Sequence, residues 1–439
     1  MEYVSKRPTA PLTGEIAVPG DKSLSHRSVL FAAMARGTSR LTGVLDSDDV
    51  RATIAAVRAL GTDVRVEEEP DGSLSVSVTG WGDNGPVAPG RPIECGNSGT
   101  SARLLIGVLA GWDIEVALTG DVSLSRRPME RVTAPLAAMG ASFESAGGTL
   151  PLRVLGGGLD AIEYESPVAS AQVKTAILLA GLRAHGRTTV REPAPSRDHT
   201  ELLLPAFGVP VGRDTTTRSV WVDGPATPTA ADIIVPGDPS SAAFMVAAGI
   251  LVPGSRVTIP GVGLNPTRIA FLDVLDRFGA DVRLEPSASA GAEPVGSIHA
   301  AHAAHGAALH STVIHAAEVP ALVDEIPVLA LMATQAEGAT RFEDVGELRF
   351  KESDRLAAII EGLVALGGSA RAEGDALVVE GPTPLNGTTL DSKGDHRLAM
   401  TWALAGLVAE SPVTVTGFEA VGVSYPRFAA DLAVLGAAS

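Results

Sequence analysis

The stretch Glu15–Val44, EIAVPGDKSLSHRSVLFAAMARGTSRLTGV, predicts the order strand, polar loop, apolar helix, glycine break and second strand. Ile16 and Val18 show the alternation of a half-buried strand, which a Pro-Gly pair ends. Ser23 is predicted to cap the helix and Gly37 to end it. The loop and first helical turn are rich in cations and hydroxyl groups. Because a helix N-terminus offers free N–H groups and a positive dipole, this combination favours an anion site.

The same order of elements recurs along the whole chain. The copies begin at Val18, Cys95, Ser170, Val235, Asp324 and Asp395. Each copy also has a second helix that ends in an apolar residue and a glycine. These glycines are Gly61, Gly140, Gly208, Gly279, Gly367 and Gly436. Helix pairs that alternate with short strands indicate a mixed α/β fold built from six repeats.

The repeat of VPGDKS as VPGDPS half a chain later divides the six copies into two groups of three. We expect the chain to cross between two lobes at a two-strand hinge near residues 18–21 and 235–238. The N-terminal lobe would then comprise residues 20–237. The C-terminal lobe would comprise residues 1–19 plus 238–439.

The composition describes a folded protein with an acidic surface. The 439 residues are 45% hydrophobic, and no apolar run approaches the roughly 20 residues of a membrane span. The first residues include no apolar signal region, so we expect a soluble cytoplasmic protein. A single cysteine, Cys95, excludes an internal disulfide and a thiolate cluster. The net charge of −17 argues against nucleic acid or an anionic membrane as partner, so an anionic ligand needs a local basic cluster.

A histidine-rich segment, residues 299–315, is the one stretch whose spacing suggests a metal. His299, His302 and His305 follow each other at three-residue intervals. No carboxylate is interleaved with them, and the simpler interpretation is a variable segment inside a repeat. We therefore predict no metal site.

The first helix of each copy begins with polar residues that its apolar body does not need. Helix starts of two three-repeat lobes are expected to converge on one face, where several cations and helix dipoles would bind a ligand with more than one anionic group. Arginine suits carboxylate and phosphate, whereas lysine suits a point contact or proton transfer. Asp324 and Glu352, two acids among these cations, are candidates for general base and general acid.

Eight motifs identify a known family. They are VPGDKSLSHR, GNSGTSAR, SLSRRPM, SAQVKTAILLAGL, PSRDHTE, VDEIPVLAL, LRFKESDRL and GDHRLAM. With these motifs in family order over essentially the whole chain, the sequence resembles the 5-enolpyruvylshikimate-3-phosphate synthase family. The resemblance implies a two-lobed inside-out α/β barrel, the enolpyruvyl transferase fold, with six βαβαββ repeats, three per lobe.

The resemblance also implies a reaction of chorismate and aromatic amino acid biosynthesis. The enolpyruvyl group of phosphoenolpyruvate passes to the 5-hydroxyl of shikimate 3-phosphate, and phosphate leaves through a tetrahedral intermediate. The family uses no cofactor and is usually monomeric. The expected partners are therefore these two small-molecule substrates.

The resemblance assigns site residues by their motifs. Shikimate 3-phosphate would be held by Lys22, Ser23, Arg27, Ser170, Ala171, Gln172, Ser196, Arg197, His199, Asp324 and Lys351. Phosphoenolpyruvate would be held by Lys22, Asn97, Gly99, Thr100, Arg127, Gln172, Arg355, His396 and Arg397. The catalytic residues would be Lys22, Asp324, Glu352 and His396. Asp324 would take the 5-hydroxyl proton, and Glu352 would protonate the methylene carbon.

The chain departs from the family pattern at three places. A family lysine that contacts phosphoenolpyruvate aligns with Val423, and Lys351 and Arg427 are the candidates to replace its charge. The serine pair before Gln172 is Ser170-Ala171, which removes one phosphate hydroxyl. The Arg-Pro after the GNxGT loop is Arg103-Leu104.

Three rival functions are weaker. A transferase that acts on UDP-N-acetylglucosamine usually has Lys-Asn in place of Lys22-Ser23, and a loop cysteine near Arg126 that is absent here. A non-catalytic anion-binding relative would be expected to lack some of the residues assigned to catalysis, all of which are present. A repeat protein that binds protein partners does not need cations at its helix starts.

Overall fold

The computed structural model describes residues 1–290, 293–303 and 308–436. By contacts between residues the chain forms two compact units. The N-terminal unit contains Gly20–Val235 and the described residues of Ala290–Glu293. The C-terminal unit contains Met1–Pro19, Pro236–Ser289 and the described residues of Pro294–Ser439.

The strands are short and occur throughout the chain. They are β1 (Glu2–Ser5), β2 (Thr13–Glu15), β3 (Thr38–Val44), β4 (Asp63–Glu68), β5 (Leu74–Thr79), β6 (Ile93–Glu94), β7 (Glu115–Thr119), β8 (Ser142–Ser145), β9 (Leu152–Leu155), β10 (Glu163–Glu165), β11 (Gly186–Arg191), β12 (Gly212–Asp214), β13 (Ser219–Gly224), β14 (Asp232–Ile234), β15 (Arg256–Gly263), β16 (Asp281–Ala290), β17 (Glu293–Ala301), β18 (Leu309–His310), β19 (Val313–Ile314), β20 (Ala336–Phe342), β21 (Ser369–Glu373), β22 (Ala376–Gly381), β23 (Thr389–Asp391) and β24 (Val413–Thr416).

The helices alternate with these strands. They are α1 (Lys22–Met34), α2 (Asp48–Ala59), α3 (Gly99–Ala110), α4 (Glu130–Ala138), α5 (Ala171–Gly181), α6 (His199–Leu203), α7 (Pro239–Leu251), α8 (Ala270–Arg277), α9 (Val319–Leu322), α10 (Ile326–Ala333), α11 (Arg355–Ala365), α12 (His396–Val408) and α13 (Phe428–Val434).

Each repeat contributes one small sheet. The N-terminal unit has the orders β14-β3-β5-β4, β6-β7-β9-β8 and β10-β11-β13-β12. The C-terminal unit has β16-β17-β15-β2, β18-β20-β22-β21 with β19 on β20, and β1-β24-β23. In each sheet the strand after the first helix pairs in parallel with one neighbour and antiparallel with the other, as β7 does with β6 and β9. The predicted α/β fold of six repeats, three per unit, is confirmed.

The strands next to the crossings pair within their own unit. β14 lies parallel to β3, with Asp232 opposite Arg40. β2 lies parallel to β15, with Thr13 opposite Arg256. The chain thus leaves each unit directly beside a strand pair that belongs to it.

Each unit has its own hydrophobic core, and the first helix of each repeat contributes heavily to it. Every residue of α7 is buried, and in α12 only Val408 is not fully buried. Such helices are apolar on all sides because no face meets water. Polar side chains are therefore concentrated in their first turns, and these turns supply the candidate site.

The glycine that follows the second helix of each repeat has a positive φ. The six values lie between 75° and 113° at Gly61, Gly140, Gly208, Gly279, Gly367 and Gly436. Residues with a side chain rarely adopt this conformation, which closes the helix C-terminus. The helix ends predicted from these glycines are confirmed.

The prediction that Ser23 caps α1 was wrong. The cap is Asp21, whose carboxylate accepts a hydrogen bond from the Leu24 N–H at 2.8 Å. The helix therefore begins one residue before Ser23, at Lys22. Aspartate is at least as good a cap as serine, and the preceding Pro-Gly pair leaves the helix free to start there.

The histidine-rich segment uses its described members for structure. His299 contacts Thr258 Oγ1 at 3.0 Å through Nδ1, and His302 Nδ1 contacts the Ile250 carbonyl at 2.7 Å. His305 lies outside the described residues. Among the residues that are described, no group of three or more histidine, cysteine, aspartate or glutamate side chains could hold a metal ion.

Within those same ranges, no helix combines the length and the apolar character that crossing a membrane requires.

Candidate active site

The first turn of α1 holds a lysine that is only partly exposed. Lys22 Nζ lies 3.1 Å from Asp49 Oδ2 at the start of α2, and 18% of its side chain is exposed. Ser23 beside it is half-buried. The ammonium group is thus fixed near the N-terminus of a helix whose dipole adds to its positive charge.

Arg27, one turn further on, is buried and connects three helices. Its Nε donates to Thr200 Oγ1 at 2.9 Å, and an Nη donates to Thr175 Oγ1 at 3.0 Å. Its other Nη donates to the Ser23 carbonyl at 3.1 Å. The guanidinium is therefore held rigidly between α1, α5 and α6.

A chain of hydroxyl groups lies behind α1, and the sequence analysis missed it. His26 Nδ1 lies 2.7 Å from Thr53 Oγ1, Thr53 Oγ1 lies 2.6 Å from Ser101 Oγ, and Ser101 Oγ lies 2.7 Å from Ser98 Oγ. Burial, followed by the charges of Lys22 and Arg27, lowers the pKa of His26 well below its usual value. A neutral His26 thus joins the first turns of α1 and α3 through α2.

The loop before α3 is bound to an arginine from the segment that follows β7. Arg127 Nη2 donates to Asn97 Oδ1 at 2.7 Å, and Asn97 Nδ2 donates to Asp121 Oδ2 at 2.7 Å. A side chain at Gly99 would bring its Cβ to 3.0 Å from an Nη of Arg103. The glycine therefore leaves room for guanidinium groups close to the backbone.

Gln172 connects this loop to the start of α5. Its Nε2 donates to Thr100 Oγ1 at 2.9 Å, and its Oε1 accepts from Arg103 Nη1 at 2.7 Å. Arg103 thus holds the amide of Gln172, and the departure from the family Arg-Pro lies at the next residue, Leu104. All three side chains are half-buried.

The starts of α5 and α6 carry the other residues assigned to shikimate 3-phosphate. Ser170 caps α5, where Ala171 is the first helical residue. His199 opens α6, and its Nδ1 lies 2.7 Å from Glu293 Oε1 in the same unit. Ser196 and Arg197, in the preceding loop, are half-buried. Apart from Arg27, which lies in the second turn of α1, the sequence-predicted residues of the N-terminal unit lie in or shortly before the first turns of its helices, or in the loop that holds Arg127.

In the C-terminal unit, a buried arginine is surrounded by carboxylates. Arg355 Nε donates to Asp395 Oδ2 at 2.7 Å, one Nη donates to Asp324 Oδ1 at 3.2 Å, and the other donates to Glu352 Oε2 at 2.5 Å. Although burial opposes it, the charges of Asp395, Glu352 and Asp324 raise the pKa of Arg355 above its ordinary value. The predicted base and the predicted acid are therefore both bonded to one guanidinium.

The start of α12 adds a second arginine to this group. Asp395 caps the helix and accepts from the Arg397 N–H at 2.9 Å. The Arg397 side chain is buried, with an Nη 3.7 Å from Asp324 Oδ2. His396 between them is also buried. Asp324 thus accepts a hydrogen bond from Arg355 through Oδ1 and forms a longer ion pair with Arg397 through Oδ2.

Lys351 and Glu352 precede α11. Burial lowers the pKa of Lys351 from its ordinary value, against the attraction of Glu347 and Asp324. Its Nζ lies 3.5 Å from Glu347 Oε1. A lysine with a lowered pKa among carboxylates is typical of binding or catalytic sites.

Val423 lies at the end of a short 3₁₀ turn, Phe418–Val423, and is half-buried. Of the two cations suggested as replacements for the family lysine, Lys351 lies among the carboxylate side chains described above. Arg427 is 47% exposed and its Nη lies 3.4 Å from Asp431 Oδ1. Lys351 therefore lies closer to the site chemistry than Arg427 does.

The start of α7 carries a buried ionic cluster that the sequence analysis did not single out. Arg268 donates to Asp238 Oδ1 at 2.9 Å and to Ser240 Oγ at 3.0 Å. Ser240 Oγ in turn donates to Glu325 Oε1. The only signal in the sequence was the pair Asp324-Glu325, in which one acid faces the site arginines and the next one faces this cluster.

The amino-acid sequence is matched in known proteins. The family model of EPSP synthase (3-phosphoshikimate 1-carboxyvinyltransferase) matches residues 6–432. A 3-phosphoshikimate 1-carboxyvinyltransferase from Shouchella clausii (strain KSM-K16) is 47% identical over 419 residues, which cover 95% of each chain. One from Bacillus subtilis (strain 168) is 46% identical over 420 residues, 95% of this chain and 96% of its own.

Solved structures agree with the sequence relatives. An EPSP synthase from Acinetobacter baumannii has a TM-score of 0.86 at 39% identity and covers 100% of this chain and 99% of that chain. The enolpyruvyl transferase NikO from Streptomyces tendae has a TM-score of 0.78 at 20% identity and covers 100% and 98%, so it shares the fold. The predicted enolpyruvyl transferase fold and the recognised family are confirmed. The chain belongs to the EPSP synthase family.

Proposed function

We propose that this chain transfers the enolpyruvyl group of phosphoenolpyruvate to the 5-hydroxyl of shikimate 3-phosphate, with release of phosphate, in aromatic amino acid biosynthesis. The observation that carries the function is the match to one family over residues 6–432, with relatives of this activity at 47% and 46% identity. The same comparisons favour this function over transfer to UDP-N-acetylglucosamine.

In this proposal the N-terminal unit binds the shikimate 3-phosphate. The phosphate would contact Ser170, Ser196 and Arg197, with His199 nearby, while Ser23, Arg27 and Gln172 would hold the rest of the molecule. The bonds of Arg27 to the threonine hydroxyls of α5 and α6 support this role, because they preorganise the guanidinium before the ligand arrives.

The phosphoenolpyruvate would be held by fixed positive charge. Arg127, Arg355 and Arg397 are proposed to bind its carboxylate and phosphate, since guanidinium groups match both anions. Asn97, Gly99 and Thr100 would form the adjoining loop, and Lys22 would contact both substrates. Support comes from the bond between Arg127 and Asn97, which fixes the arginine against this loop.

The proposed chemistry needs one base and one acid. Asp324 would accept the proton of the attacking 5-hydroxyl group. At the same time, the oxygen of that hydroxyl group would form a bond to C2 of the enolpyruvyl group. Glu352 would supply a proton to C3, and the tetrahedral intermediate would then lose phosphate and a C3 proton. The shared bonding of Asp324 and Glu352 to Arg355 supports these roles, because it fixes both carboxylates relative to one another. His396 and Lys351 would complete the binding of the phosphate and of the shikimate ring.

The proposal includes a cytoplasmic, monomeric enzyme that needs no cofactor. The buried state of the single cysteine is compatible with a reducing compartment.

Phosphate release tests the function directly. The protein is incubated with phosphoenolpyruvate and either shikimate 3-phosphate or UDP-N-acetylglucosamine, and released phosphate is measured. We expect release with shikimate 3-phosphate only. Release with UDP-N-acetylglucosamine only would replace the proposed acceptor, and release with neither would reject enolpyruvyl transfer to both acceptors.

A further inference from the structure

Lys174 is a buried cation that the proposed reaction does not use. It lies in the second turn of α5, and only 3% of its side chain is exposed. Its Nζ lies 2.8 Å from Glu192 Oε2 and 2.6 Å from Glu201 Oε1. Those glutamates are 5% and 1% exposed, so one cation and two anions share a buried site. Burying three charged side chains together costs desolvation free energy, so we expect the cluster to have a role in the protein.

Lys174, Glu192 and Glu201 form a buried triad. Each of its two glutamates is connected to a different part of the proposed shikimate 3-phosphate site. Glu192 follows β11, and its other carboxylate oxygen accepts the Ser170 N–H at 3.2 Å. Ser170 is the cap of α5 and a proposed phosphate ligand. Glu192 therefore fixes the backbone of a binding residue while it is itself fixed by Lys174.

Glu201 is connected to the part of the site around Arg27. It lies in α6 directly after Thr200, whose hydroxyl is 2.7 Å from Thr175 Oγ1 and accepts from Arg27 Nε. Thr175 is the neighbour of Lys174 on α5 and also accepts from Arg27. The bond between Lys174 and Glu201 thus holds α6 against α5 at the point where both contact Arg27.

The charges of the triad depend on one another. Burial alone would lower the pKa of Lys174, but the charges and hydrogen bonds of Glu201 and Glu192 raise it, so the lysine stays charged. Burial raises the pKa of Glu201, against the attraction of Lys174. Without the lysine, two buried carboxylates would face each other with no cation between them, and they would separate or take up a proton.

We propose that Lys174, together with Glu192 and Glu201, is a positioning residue for shikimate 3-phosphate. This inference rests on the proposed function and deepens it. The triad sets the distance between the Ser170 cap, the start of α6 and Arg27, so that these groups meet shikimate 3-phosphate without rearranging. Lys174 itself does not touch the substrate.

The test measures binding of shikimate 3-phosphate by titration calorimetry and steady-state kinetics, first on the unchanged protein. Lys174→Met keeps an unbranched side chain that is one atom shorter and removes the charge. We expect the Kd for shikimate 3-phosphate to rise by about 30-fold or more, with kcat at saturating substrate within about threefold. Arg187→Met is the matched control, because Arg187 pairs with Asp223 on the exposed surface of the same unit at 2.8 Å. It should leave the Kd unchanged.

A second pair of variants keeps the inference testable if Lys174→Met does not fold. Glu192→Ala removes the acceptor of the Ser170 N–H but leaves Lys174 paired with Glu201, and we expect about a tenfold higher Kd. Glu192→Gln restores an oxygen at that place and should recover most of the affinity.

The outcomes are distinguishable. If the unchanged protein turns over shikimate 3-phosphate but the folded Lys174→Met and Glu192→Ala variants bind it normally, the triad is only structural and the inference is wrong. A loss of kcat without a change in Kd would also overturn it. If the unchanged protein neither binds nor uses shikimate 3-phosphate, the proposed function fails and this inference fails with it.

Discussion

The helices α1 and α7 begin with the same motif, yet their first turns have opposite character. Both are capped by an aspartate, Asp21 or Asp238, whose side chain accepts a backbone N–H at 2.8 Å. The caps also share their backbone conformation, with φ −57° and ψ 121° at Asp21 and φ −72° and ψ 118° at Asp238. After the cap, α1 continues with a half-buried lysine and α7 with a buried proline. The cap therefore defines where each helix starts but not what it does.

The difference continues one turn later. At the positions where α1 buries His26 and Arg27, α7 buries Ala243 and Phe244. The polar pair of α1 needs hydrogen-bond partners from α2, α5 and α6, whereas the apolar pair of α7 packs into the core.

The N-terminus of α7 is occupied from within the protein. Arg268 lies against Asp238 and Ser240 with 2% of its side chain exposed. In α1 the corresponding serine, Ser23, is half-buried. One copy of the motif thus uses its helix N-terminus for an internal ionic cluster, and the other presents a partly exposed lysine there, where we propose that an anionic substrate binds.

The largest effect is expected when α1 is made to resemble α7. Lys22→Pro recreates the GDPS sequence of α7, and the conformation of Asp21 already suits a following proline at the first helical position. The helix should persist, with a Tm within a few degrees of the unchanged protein, while kcat/KM falls by about 10³ because the charge near both substrates is lost. Lys22→Met separates the loss of charge from the effect of the proline ring. Full activity in folded Lys22→Pro would show that the lysine is not what distinguishes the two helices.

The converse change should act on stability. Pro239→Lys places a cation in the buried first turn of α7 beside Arg268, and we expect the free energy of unfolding to fall by about 3 kcal/mol or more. Chemical denaturation measures this loss, and Pro239→Ala is the control, with an expected loss below about 1 kcal/mol. If the Pro239→Lys variant were as stable as the control, the first turn of α7 would accommodate a cation as readily as the first turn of α1 does.

The adjacent acids Asp324 and Glu325, directly before α10, allow a second comparison between a proposed site residue and a residue of the internal ionic cluster. Asp324→Asn should lower kcat by a factor on the order of 10² while substrate binding survives, because the proposed base is lost. Glu325→Gln, one residue away, faces Ser240 and should leave kcat within a few-fold and cost about 1 kcal/mol of stability. Kinetics and unfolding of both variants decide this, and equal losses of kcat would remove the distinction between the two acids.

The smallest expected effect is a pH dependence that α1 carries through His26, at the position where α7 has Ala243. The pKa of His26 lies well below the ordinary histidine value, so between these two values the unfolded chain binds a proton that the folded protein does not. Stability should therefore fall on acidification below about pH 6.5, by up to about 1.4 kcal/mol per pH unit, and His26→Gln should reduce this slope. Urea unfolding from pH 7.5 to 5, with the exposed His310→Gln as control, measures it. An unchanged slope in His26→Gln would contradict a buried neutral histidine.

Much of the fold was readable from the sequence, because its signals are local. The six glycines after the second helices can adopt the positive φ that closes a helix end, and the apolar helix bodies require burial on all sides. The motifs at the helix starts also identified the family and the residues proposed for the site. The prediction of a cap at Ser23 was wrong because two capping residues stand two positions apart and only the chain geometry selects between them, and α1 ends at Met34 rather than at Gly37.

The tertiary structure decided which polar residue does what, because partners far apart in sequence determine charge and burial. Lys22 lies in the first turn of α1 and Lys174 in the second turn of α5, yet Glu192 and Glu201 bury Lys174 while Lys22 stays partly exposed. Asp324 and Glu325 are adjacent in the chain, yet Asp324 contacts Arg355 and Glu325 contacts Ser240. Sequence by itself determined the repeat, the fold and the family; the roles of individual charges depended on long-range contacts, since electrostatic and desolvation free energies act through space rather than along the chain.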